Sequence, residues 1–140
     1  MDFADRRGGT MESNKISVIV LSDKREQLQM AAMIASVGAV SGNEVLVFLS
    51  MNAMRYFVKG ADEQAPCEGP VGKLMEQKNV PPFKILFEQA VTLGDAKIYP
   101  CSMAMDVLGV EHGGLEDYIG EPMGLTMFLD ECKGGQVWSF

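Results

Sequence analysis

The chain has 140 residues, 47% of them apolar and 22% charged, which is an ordinary globular composition sufficient for one domain. Its net charge of −7, with no cluster of Lys or Arg, argues against nucleic acid or an anionic membrane surface as partner. No apolar run reaches the length that crosses a bilayer, about 18 residues.

Three cysteines, Cys67, Cys101 and Cys132, form no C-x-x-C pair and stand beside a single histidine, His112. That pattern disfavours both a secreted disulfide scaffold and a zinc site, so no metal and no cofactor are expected. Free thiols suit a reducing compartment. The charged first dozen residues lack the apolar core of a signal peptide, which makes the cytoplasm the expected location. Eleven methionines read as soft filling for a core or a subunit interface.

Residues 1–14 (MDFADRRGGTMESN) have no periodicity and are expected to be a disordered leader before a single domain over 15–140. Lys15 to Leu21 is a near-continuous aliphatic run, as in a strand covered on both faces. Ser22 or Asp23 can cap the next helix, and Asp23 with Glu26 makes a capping-box-like pair. This helix is predicted to run to about Ser41, with Leu28, Ala31, Ala32, Ala35 and Gly38 forming a small-residue side that can lie close on a sheet. Asn43 to Leu49 is a second buried strand, and a β-helix-β unit of this length leaves its strands parallel.

Ser50 to Val58 is expected to be helical, with Ser50 or Asn52 as cap. Residues 60–80 are the least regular stretch, with a helical turn at Lys73 to Gln77, and they carry Cys67. Pro81 or Pro82 opens a helix whose apolar stripe is Phe83, Leu86, Phe87, Ala90, Val91 and Leu93, closed by Gly94. Ala96 to Tyr99 is a short strand, after which Pro100 stops the strand and Cys101 enters the first turn of a helix ending near Gly109. Leu115 to Gly120 is a connector or minor strand, Gly124 to Cys132 the last helix, and Gln136 to Phe140 a terminal strand. Strands alternating with helices predict a three-layer α/β/α domain with a mostly parallel five-stranded sheet.

In an open parallel sheet, ligands bind beyond the carboxyl ends of the strands. Three such ends are Leu21 to Lys24, Leu49 to Asn52 and Tyr99 to Ser102. They make Cys101 the candidate reactive group. Ser22, Asp23, Lys24, Ser50, Met51, Asn52, Ser102 and Met103 are the candidate pocket lining. N–H groups at a helix start bias a thiol toward thiolate, whereas Asp106, one turn on, would oppose it. The competing reading of Cys101 is a small buried hydrophobe. Cys67 is either a second, resolving thiol or a plain surface residue, Cys132 reads as packing, and His112 lies beyond the helix and makes a poor dyad partner. No nucleophile elbow, phosphate loop or dinucleotide fingerprint is present.

Three segments carry a family resemblance: Met30 to Gly42 running into Glu44 to Leu49, Tyr99-Pro-Cys-Ser-Met-Ala-Met-Asp-Val-Leu-Gly109, and the tail from Gly124 to Phe140. Over residues 15–140 the chain resembles the DsrE/DsrF/DrsH-like proteins, in the branch labelled peroxiredoxin-like. The resemblance implies a DsrE-type α/β fold and a homo-oligomer, commonly a trimer. It also implies sulfur handling, in which Cys101 accepts sulfane sulfur or thiosulfate and passes it to partners such as TusA-like carriers or rhodanese domains. No second cysteine follows Cys101 closely, as it does in some relatives, and no Thr-x-x-Cys pattern points to a peroxidase. The alternative is a non-catalytic oligomeric module of the same fold that binds a small ligand or protein at the same strand ends.

Overall fold

The computed structural model describes residues 14–140, so the expected leader lies outside the described residues except for Asn14. The elements run β1 (Lys15–Val20), α1 (Arg25–Val40), β2 (Glu44–Leu49), a 3₁₀ turn (Met51–Phe57), α2 (Pro70–Gln77) and α3 (Phe83–Gly94). They continue with β3 (Lys97–Pro100), α4 (Ser102–Leu108), a 3₁₀ turn (His112–Gly114), α5 (Leu125–Glu131) and β4 (Gln136–Ser139). The strands pair only in parallel, in the order β3-β2-β1-β4. The fold is α/β with a parallel sheet, as expected. No helix among the described residues is long and apolar enough to cross a membrane.

The predicted small-residue side of α1 is the side that is buried: Leu28, Ala31, Ala32, Ala35 and Gly38 are all shielded from solvent. A Cβ on Gly38 would sit 3.3 Å from side-chain atoms of both Ile16 and Val45, so α1 rests directly on β1 and β2. Side chains alternate along a strand, which places Val47 and Leu49 on the face of Val45, and Phe48 on the opposite one. There Phe48 stacks on Phe128 of α5, ring centroids 4.7 Å apart. Helices therefore cover both faces. The third major contact is α1 against α3, whose Gly94 approaches Ala39 so closely that a Cβ would lie 2.5 Å from the alanine Cβ and 2.8 Å from its carbonyl carbon.

Four strands form among the described residues, not five. Leu115 makes one isolated antiparallel bridge with Val58, and residues 120–123 lie along the outer edge of β3 without becoming a strand. They donate to it only from Gly120 (to Ile98 O, 2.7 Å) and Met123 (to Pro100 O, 2.9 Å). Pro122 between them has no N–H to extend a ladder. Two smaller expectations also change. Leu93 is 73% exposed, outside the buried stripe of α3, because that helix buries the side of Phe87 and Ala90, where Phe87 meets the Phe57 ring edge-on at 5.5 Å. Residues 70–77 form a full helix where only a turn was expected, because Pro70 suits a first turn and α1 supplies its cap.

The Gly94→Ala substitution should lower stability by about 1–3 kcal/mol through overpacking. Urea unfolding should show a lower midpoint with an unchanged slope.

Candidate functional site

Parallel register sets the site. Val20 pairs with Leu49 and Leu49 with Pro100, so the next residues, Leu21, Ser50 and Cys101, stand level across three adjacent strand ends. The ladder continues through this level: Ser50 N–H donates to Val20 O at 2.9 Å and Cys101 N–H to Leu49 O at 2.8 Å. On the outer side Cys101 bridges Met123 in parallel, and Ser102 N–H donates to Met123 O at 3.1 Å.

Cys101 occupies the cap position of α4 with extended backbone (φ −68°, ψ 121°). Its carbonyl accepts the Met105 N–H at 3.0 Å. The Gly109 left-handed turn (φ 68°) ends the helix as the sequence predicted. The residue is only 5% exposed, so the thiol lies beneath the strand ends and not open upon them. Asp106, the carboxylate one turn on, is exposed.

Of the predicted lining, Ser50 is buried and Met51, Asn52, Ser102 and Met103 are exposed, while Ser22, Asp23 and Lys24 are half-buried. Ser50 and Ser102 are brought to Cys101 by pairing and by sequence. The 3₁₀ turn that carries Met51 and Asn52 packs on α4. Met51 takes a left-handed backbone (φ 50°), an uncommon state for a residue with a side chain. The β1 end stands two strand spacings from Cys101, about 10 Å, so Ser22, Asp23 and Lys24 form the far side of the row.

The predicted capping roles at α1 do not form. The helix starts at Arg25 with Lys24 at the cap and no side-chain cap bond. Ser22 Oγ instead accepts the Lys24 N–H at 3.0 Å, and the Asp23 carbonyl accepts the Tyr56 hydroxyl at 3.0 Å. Nor do the side chains of Ser50 or Asn52 cap a helix: the following segment is a 3₁₀ turn, with Ser50 extended before it and making no cap bond.

The Glu26 carboxylate reaches from the α1 start to the long loop. It accepts the N–H groups of Glu68 (2.8 Å), Gly69 (2.7 Å) and Gly72 (3.2 Å), and so caps α2 from outside. Arg25 adds a backbone bond to Pro66 O at 2.9 Å, a side-chain bond to Ala65 O at 3.3 Å and an ion pair with Glu76 at 3.2 Å. The first turn of α1 thus holds residues 65–76.

Cys67 sits inside this clamp, half-buried. A Cβ on Gly72 would lie 2.9 Å from its sulfur. Cys67 belongs to the β1 side of the rim, Cys101 to the β3 side, and both thiols are free. Cys132 is 4% exposed at the end of α5, in keeping with a packing role. His112 is exposed on its own 3₁₀ turn, while Cys101 is buried. Among the described residues no three His, Cys, Asp or Glu side chains converge on a metal position.

Two features had no sequence signal strong enough to find them. One is Met123 as the outer neighbour of Cys101, since an isolated bridge leaves no periodicity. The other is a concavity of about 600 Å³ between α3 and residues 116–118, lined by Lys84, Glu88, Val91, Thr92, Glu116 and Tyr118 among others. Lys84 and Glu116 pair there at 3.3 Å, and burial, reinforced by the Glu116 and Glu88 carboxylates, raises the Tyr118 phenol above its ordinary range. No residue of the Cys101 row lines it.

Residues 64–140 match the model of the DsrE/DsrF/DrsH-like family. No curated protein matches the chain in sequence. Among solved structures, the ychN protein of E. coli is similar with a TM-score of 0.60 and 18% identity, over 91% of this chain and 99% of that one. MTH1491 of Methanobacterium thermoautotrophicum, a protein of unknown function, is similar with a TM-score of 0.59 and 9% identity, over 90% and 98% of the two chains. At these identities the likeness is one of fold.

The Glu26 carboxyl is held below its ordinary value of 4.5, chiefly by the Glu68 N–H, with Gly69 and Gly72 adding to the effect against a desolvation cost. A depressed acid stabilises the fold above its unfolded value, and that stabilisation is lost as pH falls through the folded one. The Gly69 and Gly72 amide signals should therefore titrate together below pH 4.5 in NMR spectra. Glu26→Gln should abolish that step and speed amide exchange in α2.

Proposed function

The chain belongs to the DsrE/DsrF/DrsH-like family, and on that premise we propose that it is a sulfur carrier or sulfurtransferase whose reactive atom is Cys101 Sγ. The observation that carries this reading is the position of Cys101. It is the one cysteine among three at a strand end, level with Ser50 and bonded into the ladder through Leu49 O, within the family-matched segment. Parallel sheets place their chemistry at that end.

In the proposed step the Cys101 thiolate attacks the outer sulfur of thiosulfate. A Cys–S–S bond forms, the S–S bond of the donor breaks, and sulfite leaves with the electron pair. Two negative charges depart with sulfite and one stays on the persulfide. With tetrathionate the same attack leaves an S-thiosulfonate on Cys101 and releases thiosulfate. The acceptor thiol of a TusA-like carrier or a rhodanese domain then takes the outer sulfur. The Met103 N–H at the α4 start and the Ser50 side chain beside Cys101 are the groups proposed to steady the anion, the Ser102 N–H being given to Met123 O. Ser22, Asp23, Lys24, Met51 and Asn52 would complete the rim, and Cys67 has no assigned step.

The proposal includes a cytoplasmic homo-oligomer, with a trimer favoured. What supports association is the exposed apolar pair Leu125 and Leu129, one turn apart on α5 and 52% and 50% exposed. Surfaces of this kind mark association sites.

A second reading draws on the burial of Cys101 at 5% exposure: the thiol is packing, and the same strand ends bind a ligand without chemistry. The two readings separate on one measurement. Intact-mass spectrometry after thiosulfate, polysulfide or tetrathionate treatment should show gains of about 32 Da for a persulfide or about 112 Da for an S-thiosulfonate. Cys101→Ser should lose both. A wild-type chain that stays unmodified with all three donors leaves only the binding module.

Association is checked by sedimentation velocity. The unsubstituted chain should sediment as a trimer, and Leu125→Glu with Leu129→Glu should shift it to monomer by placing two charges on the apolar face.

A further inference from the structure

We infer that residues 120–124 form a strap that peels from the edge of β3 to expose Cys101 and closes again over it. The inference rests on the reading of Cys101 as the reactive thiol for its purpose, but not for its geometry.

β3 is an outer strand of the sheet, and a residue just past the end of an outer strand would ordinarily meet solvent on its free side. Cys101 does not. Its inner neighbour is the buried Ser50, and its outer neighbour is Met123, which packs against the core. The segment bringing Met123 there is held to β3 and α4 at three backbone points. These are Gly120 N–H to Ile98 O (2.7 Å), Met123 N–H to Pro100 O (2.9 Å) and Ser102 N–H to Met123 O (3.1 Å). Between those points Glu121 and Pro122 are exposed, and Pro122 has no N–H to give. Glycine stands at each end, Gly120 and Gly124, where backbone dihedrals change at least steric cost.

The thiol is anchored separately. Cys101 N–H bonds to Leu49 O in the sheet, and its carbonyl accepts Met105 N–H in α4. Losing the three strap bonds leaves both anchors in place. A segment with few bonds and an exposed middle opens locally, at lower free energy than the strand beside it. Opening would remove Met123 from the side of Cys101 and free the Ser102 N–H. Sulfur exchange requires access to the sulfur, and 5% exposure does not provide it.

Cys132 supplies an internal control, because it is as buried as Cys101, at 4% exposure, but lies under no strap. In native iodoacetamide labelling read by peptide mass spectrometry, Cys101 should react at least about tenfold faster than Cys132, since its exposure needs only local opening. Met123→Ala and Gly120→Ala should each raise the Cys101 rate about tenfold and leave Cys132 unchanged. A Cβ on Gly120 would press to 3.0 Å of Ile98 O, which loosens the strap at its first bond.

Equal rates at the two thiols, or no selective rise at Cys101 in either variant, would overturn the strap. A rise at both thiols would mean general loosening and also counts against it. Hydrogen exchange of the unsubstituted chain gives a variant-free check: Gly120, Met123 and Ser102 amides should exchange well ahead of the Cys101 amide, and equal protection refutes the inference. Alkylation does not depend on sulfur loading. A chain that opens but takes up no sulfur would sink the proposed function and leave the strap standing.

Discussion

The close seating of α1 on β1 and β2 is the constraint from which the rest of the molecule follows. A side of alanines and Gly38 lets the helix axis approach the sheet until Ile16 and Val45 meet the glycine at van der Waals distance. With α1 set that low, α3 can lie against it only where its own surface is equally small, and Gly94 against Ala39 meets that condition. The helix start is placed by the same seating at the β1 end of the rim. From there Arg25 and Glu26 reach the loop that bears Cys67.

The rim is consequently built from two unlike halves. On the β1 side, side chains organise backbone: the Glu26 carboxylate gathers three N–H groups of the α2 start. An anion at a helix N-terminus is favourable through both hydrogen bonding and the helix dipole. On the β3 side, backbone organises a side chain. Cys101 is positioned by backbone hydrogen bonds, its N–H to Leu49 O and its carbonyl from Met105 N–H. A thiol placed by main-chain ladders keeps its position regardless of which small polar residues surround it.

Much of this arrangement was legible in the chain. The aliphatic runs at Lys15 to Leu21 and Asn43 to Leu49 and the buried side of α1 appear where residue pattern placed them, and so does the helix after Cys101; Pro100, expected to stop the strand, is instead its last paired residue, and Cys101 caps the helix from extended backbone. Local physics decides those features: burial on both faces calls for continuous apolar runs, and Gly109 supplies a left-handed cap at no steric cost. Capping at α1 was not legible. Asp23 and Glu26 stand at capping-box spacing, yet Glu26 finds better partners some forty residues on, at Glu68, Gly69 and Gly72. Nothing in local spacing announces a competitor so distant along the chain.

By itself the sequence determined the four strands that pair and the helices after β1 and before β3, the parallel α/β class and the delivery of Cys101 to a strand end, because each depends on near-neighbour patterns of apolar, glycine and proline residues. Tertiary structure alone decided the four-strand count, the burial of the thiol and the separation of Cys67 from Cys101. Those outcomes depend on which segment reaches the free edge of β3 and on where α1 pins the long loop. Both are settled by backbone hydrogen bonds between residues far apart in the chain, whose N–H and carbonyl groups every sequence carries alike.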